Sequence, residues 1–336
     1  MSIEQLADIA RAMVAPGKGI IAIDESNATI AKRFAAVGIE NSEENRRAYR
    51  EMLLTTPKLG EHISGAILFD ETIRQSTKAG VPFTKVMMDN GIIPGIKVDK
   101  GTHALAGCPG EVVTEGLDGL RERLKEYAKL GAKFAKWRAV ITINEEDGLP
   151  TNTCIEANVH ALARYAALCQ ECGIVPMVEP EVLMDGVHDI DECYSVTEAV
   201  LLSLFDALRL FGVELEGTIL KASMVVSGKD CEEQASVEEV ANATVRCLRS
   251  AVPAILPGIV FLSGGQSDED ATAHLNAMNQ IGPNPWPLSF SYGRAMQSAA
   301  LKIWSEDLQG NIGKAQQTVY ARARDNGLAA LGKLGG

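Results

Sequence analysis

Cysteine and histidine are sparse in this chain of 336 residues, with seven of the first and five of the second. Seven is an odd number and too few to make a disulfide scaffold of a chain this long. Cys169 and Cys172 form a single C-x-x-C, but it falls at the apparent C-terminal end of a helix, and no second pair sits at zinc-finger spacing. Reduced, structural thiols are the expectation. The histidines (His62, His103, His160, His188 and His274) form neither H-x-H nor H-E-x-x-H, which argues against a catalytic metal. Long apolar runs are also missing: nothing approaches the ~20 apolar residues of a membrane span. The N-terminus reads as an amphipathic helix without the basic start and apolar core of a signal peptide, so a cytoplasmic location is expected, or plastid stroma if a transit segment was removed before residue 1. Positive charge is in deficit, with 32 Lys and Arg against 44 Asp and Glu and a net charge of -12. That balance excludes a general binder of nucleic acid or anionic membrane, and any phosphate must be met by a local cluster of cations. No G-x-G-x-x-G follows the first apolar strand, so the dinucleotide fingerprint is absent.

What is present is an ordinary globular composition, 46% hydrophobic and 23% charged. Short apolar, β-branched runs alternate with amphipathic segments. The strands are read at residues 18–24, 63–69, 95–98, 133–141, 174–180, 218–226, 258–265 and 288–293. In the third, Pro94 demotes the earlier residues; in the fifth, Pro180 is read as the end. Helices are expected over 26–36, 43–54, 117–130, 157–172, 195–211, 236–251, from 267, over 294–304 and over 311–331. Eight alternations without a low-complexity linker or composition break fit a single-domain (β/α)8 barrel, with one extra helix at the N-terminus and another at the C-terminus.

The charges fall in a pattern. Asp24, Lys97, Lys136, Arg138, Glu179, Lys221 and Arg294 lie in or just after apolar strands, mostly near their C-terminal ends. Those ends form the catalytic face of such a barrel. Lys136 and Arg138 are two apart and share a face, as do Glu179 and Glu181. Lys221 sits within an apolar run; an ammonium removed from water must pair or surrender its proton, and a neutral amine in a pocket attacks carbonyls. Ser263-Gly264-Gly265-Gln266-Ser267 joins the seventh strand to a helix, and Ser291-Tyr292-Gly293-Arg294 follows the eighth. Backbone amides at a helix N-terminus favour an anion, and the loops after strands seven and eight are the recurrent phosphate site of this fold. Lys32, Arg33 and Lys97 suit a second phosphate across the mouth.

At this level of detail the chain resembles the class I fructose-bisphosphate aldolases. The resemblance rests on Ile23-Asp24-Glu25-Ser26, Ile30-Ala31-Lys32-Arg33, Gly95-Ile96-Lys97-Val98-Asp99-Lys100-Gly101, Phe134-Ala135-Lys136-Trp137-Arg138, Val178-Glu179-Pro180-Glu181, Glu216-Gly217-Thr218-Ile219-Leu220-Lys221, Phe261-Leu262-Ser263-Gly264-Gly265-Gln266-Ser267 and Ser289-Phe290-Ser291-Tyr292-Gly293-Arg294-Ala295. It implies cleavage of fructose 1,6-bisphosphate to two triose phosphates through a lysine Schiff base, with no cofactor or metal, in a homotetramer. By this resemblance Lys221 is the Schiff-base lysine, Glu179 the acid/base, Asp24 the base for the C4 hydroxyl and Lys136 an assistant at the reacting carbons. Arg138 and Glu181 orient these groups. Ser263, Gly264, Gly265, Ser291, Gly293 and Arg294 hold one phosphate, and Arg33, Lys97 and Lys32 the other.

Three features depart from the family pattern. Asn27-Ala28-Thr29 replaces a Thr-Gly-Ser, with Thr29 retaining the hydroxyl; Ala222-Ser223-Met224 follows Lys221 in place of Pro-Asn-Met; and the last tyrosine is Tyr320, where well-known members carry a tyrosine-ended tail. The expectation attached to the third is another proton donor for the enamine, or slow release of dihydroxyacetone phosphate. Two other functions fit the same residues: the same chemistry on sedoheptulose 1,7-bisphosphate, and a non-catalytic scaffold on the same barrel, which four intact reactive residues disfavour.

Overall fold

The computed structural model describes residues 2–335. Ten strands form: β1 (Gly19–Ile23), β2 (Ile63–Leu68), β3 (Ile93–Lys97), β4 (Thr102–Ala104), β5 (Val112–Thr114), β6 (Phe134–Ile141), β7 (Val175–Val182), β8 (Ile219–Ala222), β9 (Ile259–Phe261) and β10 (Leu288–Tyr292). Eight of them close into a parallel barrel in the order β1-β10-β9-β8-β7-β6-β3-β2, while β4 and β5 pair as a separate antiparallel hairpin. The helices are α1 (Ile3–Met13), α2 (Asn27–Ala36), α3 (Glu43–Leu54), α4 (Asp70–Ile73), α5 (Phe83–Asp89), α6 (Leu120–Lys129), α7 (Asn152–Glu171), α8 (Ile190–Leu210), α9 (Val237–Ala251), α10 (Asp268–Gln280), α11 (Arg294–Glu306) and α12 (Ile312–Ala329). This is the (β/α)8 architecture expected from the alternation, with α1 and α12 as the additions. Among the described residues no helix is long and apolar enough to cross a membrane.

Two buried layers result. Outward residues such as Ala135, Trp137, Val178 and Leu220 pack beneath the helices. Inward residues Ile20, Ile67, Phe134, Val175, Met177, Ile219 and Val260 form a second cluster with Leu6, Ala10, Met13 and Val14. Helix α1 therefore closes the N-terminal end of the barrel with its apolar face, and its start is fixed by a capping box between Ser2 and Gln5. Gly65 and Gly95 leave the room that the Phe134 ring fills: a Cβ on Gly65 would lie 3.2 Å from that ring, and one on Gly95 would collide with it.

Along each inward face the chemistry changes with height. Phe134 precedes Lys136 and Arg138, Val175 and Met177 precede Glu179 and Glu181, and Ile219 precedes Lys221. A side-chain period of two keeps each series on one face. The floor is apolar and the rim charged.

Several boundaries differ from the sequence expectations. Strand β7 continues through Pro180 to Val182. The amides of Val175 and Leu183 donate to Lys133 and Ile141 of the β6 side, so odd-numbered residues bond toward β6. Pro180 faces β8, where the ladder includes only Met177 and Val178. Its missing N–H costs no ladder bond. Pro94 likewise belongs to β3, at a point where the ladder to β6 has yet to begin. Strand β8 stops at Ala222, short of the expected Val226. Helices α7 and α8 begin about a turn early, capped by Thr151 and Asp189, whose oxygens accept from the amides of Cys154 and Glu192. The hairpin and the short α4 and α5 have no counterpart in the sequence pattern, because each is too brief to show a period.

Candidate active site

At the C-terminal end of the barrel a cavity of about 930 Å³ is lined by Asp24, Lys97, Lys136, Arg138, Glu179, Glu181, Lys221 and Arg294, among others. Its floor is a chain of alternating charge. Lys221 Nζ lies 3.1 Å from Glu179 Oε1, Lys136 Nζ lies 3.2 Å from Glu179 Oε2, and Lys136 Nζ lies 2.8 Å from Asp24 Oδ2. All four side chains are buried. Buried charges persist when paired, and two lysines shared between two carboxylates supply the pairing, although Glu179 Oε2 lacks a hydrogen-bond partner among the described residues.

The field orders their protonation. Burial alone would raise the Asp24 carboxyl, yet Lys136, Lys221 and Lys97 pull it down to about 2. Burial opposes the charge on Lys136 too, but Asp24, Glu179 and Asp99 hold its ammonium well above the ordinary lysine range. Glu179 is likewise depressed against burial, by Lys136, Lys221 and Arg138. At neutral pH this leaves two carboxylates and a fixed ammonium around Lys221 Nζ.

A surrounding ring positions these groups. Glu181 accepts from the Nε of Arg138 in a short ion pair, and Lys97 Nζ pairs with the Asp99 carboxylate. The other oxygen of Asp99 accepts from the Arg138 amide at 3.2 Å, so Asp99 ties β3 to β6. Asp99 is absent from the residues that the sequence alone marks for the site. Strand parity held the signal, because Asp99 follows Lys97 by two residues. Glu25, one residue beyond inward-facing Asp24, carries no such parity signal, and its carboxylate binds both Arg33 and Arg50.

The phosphate elements converge on one side. Gly264 and Gly265 have φ of 57° and 108°, the left-handed region that glycine adopts without strain. They bring the Ser263 loop over the start of α10, where Ser267 is the N-cap. Arg294 opens α11, and its Nη2 would stand 3.4 Å from a Cβ placed on Gly265. The Ser291 hydroxyl is buried among the lining residues without a partner. Backbone amides, a free hydroxyl and a guanidinium thus face one region, a suitable seat for a phosphate. Across the mouth, Ser26 caps α2 by accepting from the Thr29 amide at 3.3 Å, and Thr29, Lys32 and Arg33 line the cavity. Every residue given a catalytic, orienting or phosphate-binding part from the sequence lies in this wall except Gly265, which borders it behind Arg294.

Comparison with known proteins identifies the family. The family model "Fructose-bisphosphate aldolase class-I" matches residues 5–336. A protein of Xylella fastidiosa named as a probable fructose-bisphosphate aldolase class 1 is 76% identical over the full length of both chains. Fructose-bisphosphate aldolase 1 of Toxoplasma gondii is 55% identical over 99% of this chain and 92% of its own. A solved fructose-bisphosphate aldolase of Plasmodium falciparum superposes with a TM-score of 0.98 at 49% identity, covering 99% of this chain and 96% of that one. The chain therefore belongs to the class I fructose-bisphosphate aldolase family.

Proposed function

We propose that Lys221 is the residue through which this chain performs its family's reaction, the reversible cleavage of fructose 1,6-bisphosphate into dihydroxyacetone phosphate and glyceraldehyde 3-phosphate. The observation that carries the assignment is the 3.1 Å approach of Lys221 Nζ to Glu179 Oε1 on the cavity floor. Glu179, a carboxylate at rest, takes a proton from Lys221. The neutral amine then attacks the C2 carbonyl of the open-chain sugar and forms a carbinolamine. Glu179 returns its proton to the carbinolamine hydroxyl, which leaves as water. The resulting protonated imine is an electron sink. Asp24 removes the C4 hydroxyl proton, the C3–C4 bond breaks, and the bonding pair moves onto the imine as an enamine while glyceraldehyde 3-phosphate departs. Protonation at C3 and hydrolysis release dihydroxyacetone phosphate.

Lys136 remains an ammonium through these steps, stabilising negative charge on the C4 oxygen and holding both carboxylates in place. The Ser263–Gly265 loop, Ser291, Gly293 and Arg294 take the phosphate nearer the imine. Lys32, Arg33, Lys97 and Thr29 serve the far one. Arg138 and Glu181 orient Glu179 from the adjacent strand positions. By family likeness we also propose a cytoplasmic homotetramer, for which a solution mass near four times the 35.9 kDa chain is expected.

Borohydride reduction with dihydroxyacetone phosphate, followed by peptide mass mapping, tests the assignment. A triose adduct on Lys221 together with loss of cleavage activity supports it. An adduct on another lysine overturns the residue assignment. No adduct, with activity that a chelator abolishes, overturns the Schiff-base reading altogether.

A further inference from the structure

Around Arg33, and reaching from the cavity wall into the core, lies a polar cluster of Glu25, Tyr49, Arg50 and Gln297 that the reaction does not use. Glu25 Oε2 accepts from Arg50 Nη2 at 3.0 Å, and Glu25 Oε1 accepts from Gln297 Nε2 at 3.1 Å and from Arg33 Nη1. Gln297 Nε2 also donates to the Ala22 carbonyl at 2.6 Å, and Arg50 Nε to the Ile23 carbonyl at 3.1 Å. The Tyr49 hydroxyl donates to Gln297 Oε1 at 3.0 Å. Arg50 and Gln297 are 2% and 1% exposed, whereas the Arg33 side chain keeps 23% of its surface.

The charge count matters. One guanidinium suffices to neutralise a buried carboxylate, and Arg50 supplies it. Arg33 is then a surplus cation, held by the same carboxylate but left open to the cavity. Its place is fixed only as firmly as Glu25 is. Gln297 bonds one oxygen of Glu25 and the Ala22 carbonyl, two residues before Asp24, so it ties the carboxylate to the end of β1. It also lies one helical turn after Arg294 on α11. Arg33 Nη2 would stand 3.9 Å from a Cβ on Gly293, so the cation borders the turn that introduces Arg294. The helix bearing one phosphate-binding arginine thus braces the other.

We propose that Gln297 and Arg50 are positioning residues for phosphate recognition: they fix Glu25, and Glu25 aims Arg33 into the cavity. This rests on the reading of Arg33 as a phosphate-binding group. A filler role in the core predicts lower stability and unchanged kinetics in the protein that remains folded. An aiming role predicts weaker substrate binding that depends on Arg33.

The test is a kinetic double-mutant cycle on the full chain with fructose 1,6-bisphosphate. Gln297→Leu keeps the volume and removes the bonds. It is expected to raise KM roughly tenfold with kcat changed less than about threefold. In an Arg33→Ala background the same substitution is expected to change KM less than about twofold, because the residue it acts through is gone. Tyr49→Phe, which removes a single bond to Gln297 and carries little folding risk, is expected to show the same dependence at roughly two- to threefold. An effect of equal size with and without Arg33, or a folded Tyr49→Phe and Gln297→Leu pair with unaltered KM, overturns the proposal. If Arg33→Ala alone leaves KM unchanged, the phosphate role of Arg33 falls, and the proposal with it.

Discussion

Lys136 illustrates how one side chain sets both the protonation of its neighbours and the stability of the fold. It is the shared partner of Asp24 and Glu179, and both carboxyls lie below their ordinary range because of it. A carboxyl held at about 2, where 3.8 is ordinary, contributes stability that is present above pH 3.8 and lost as pH falls through about 2. The contribution is roughly 2 kcal/mol for Asp24. Lys136 is displaced the other way, so its share is complete below the ordinary lysine range and is lost only at strongly alkaline pH. Lys136→Met leaves both carboxylates buried without their common partner. It is expected to cost about 3–5 kcal/mol at pH 7, and less at pH 4, where protonation relieves the unpaired charges. Thermal melts of both proteins between pH 3 and 7 measure this; a deficit independent of pH would refute it. The charges responsible were visible in the sequence because a charged residue inside an apolar strand is conspicuous. Asp99 and Glu25 were not, because each directly follows strand residues in a polar stretch, where a carboxylate looks ordinary. Parity with Lys97 hinted at Asp99 alone; the approach of Asp99 to the Arg138 amide and of Glu25 to Arg50 on α3 belongs to the tertiary fold.

Strands were the most legible elements and their ends the least. Pro180 suggested a stop because a proline lacks a ladder donor. The strand continues because at that height β7 pairs on one side only, a fact of barrel stagger that no local pattern encodes. The hairpin of β4 and β5 is three residues a side, with an exposed first strand and no alternation to read. Glycines at the barrel floor make a sharper case. Gly95 in β3 and Phe134 in β6 are complementary, the ring occupying the space of an absent side chain. Gly95→Ala is expected to destabilise the fold by about 1–3 kcal/mol through overpacking. Pairing it with Phe134→Leu should recover part of that loss. Urea unfolding of the two variants decides the matter: a double variant no more stable than Gly95→Ala would show that the glycine serves its backbone and not the ring.

At the scale of the molecule, the eightfold alternation was enough to specify the barrel, and the fold then determines where the unusual charges go. The chain carries a net charge of -12, yet nine basic side chains face six carboxylates around the cavity. The acidic excess lies elsewhere on the molecule, and the mouth is a local positive field set in a negative surface. A substrate with two phosphates is repelled by the bulk of the protein and drawn to one place on it. Low-dielectric walls concentrate such a field, and dissolved salt screens its outer part over about 8–10 Å. The floor pairs are buried and closely spaced, so salt should scarcely touch them. The two regions therefore respond differently to ionic strength. Raising a monovalent salt from ~10 mM to ~300 mM is expected to increase KM for fructose 1,6-bisphosphate severalfold, with kcat held within about twofold. An uncharged osmolyte at matched osmolality should do neither. A parallel fall in kcat would mean that salt reaches the Lys221–Glu179–Lys136–Asp24 chain, and that the cavity floor is wetter than its burial indicates.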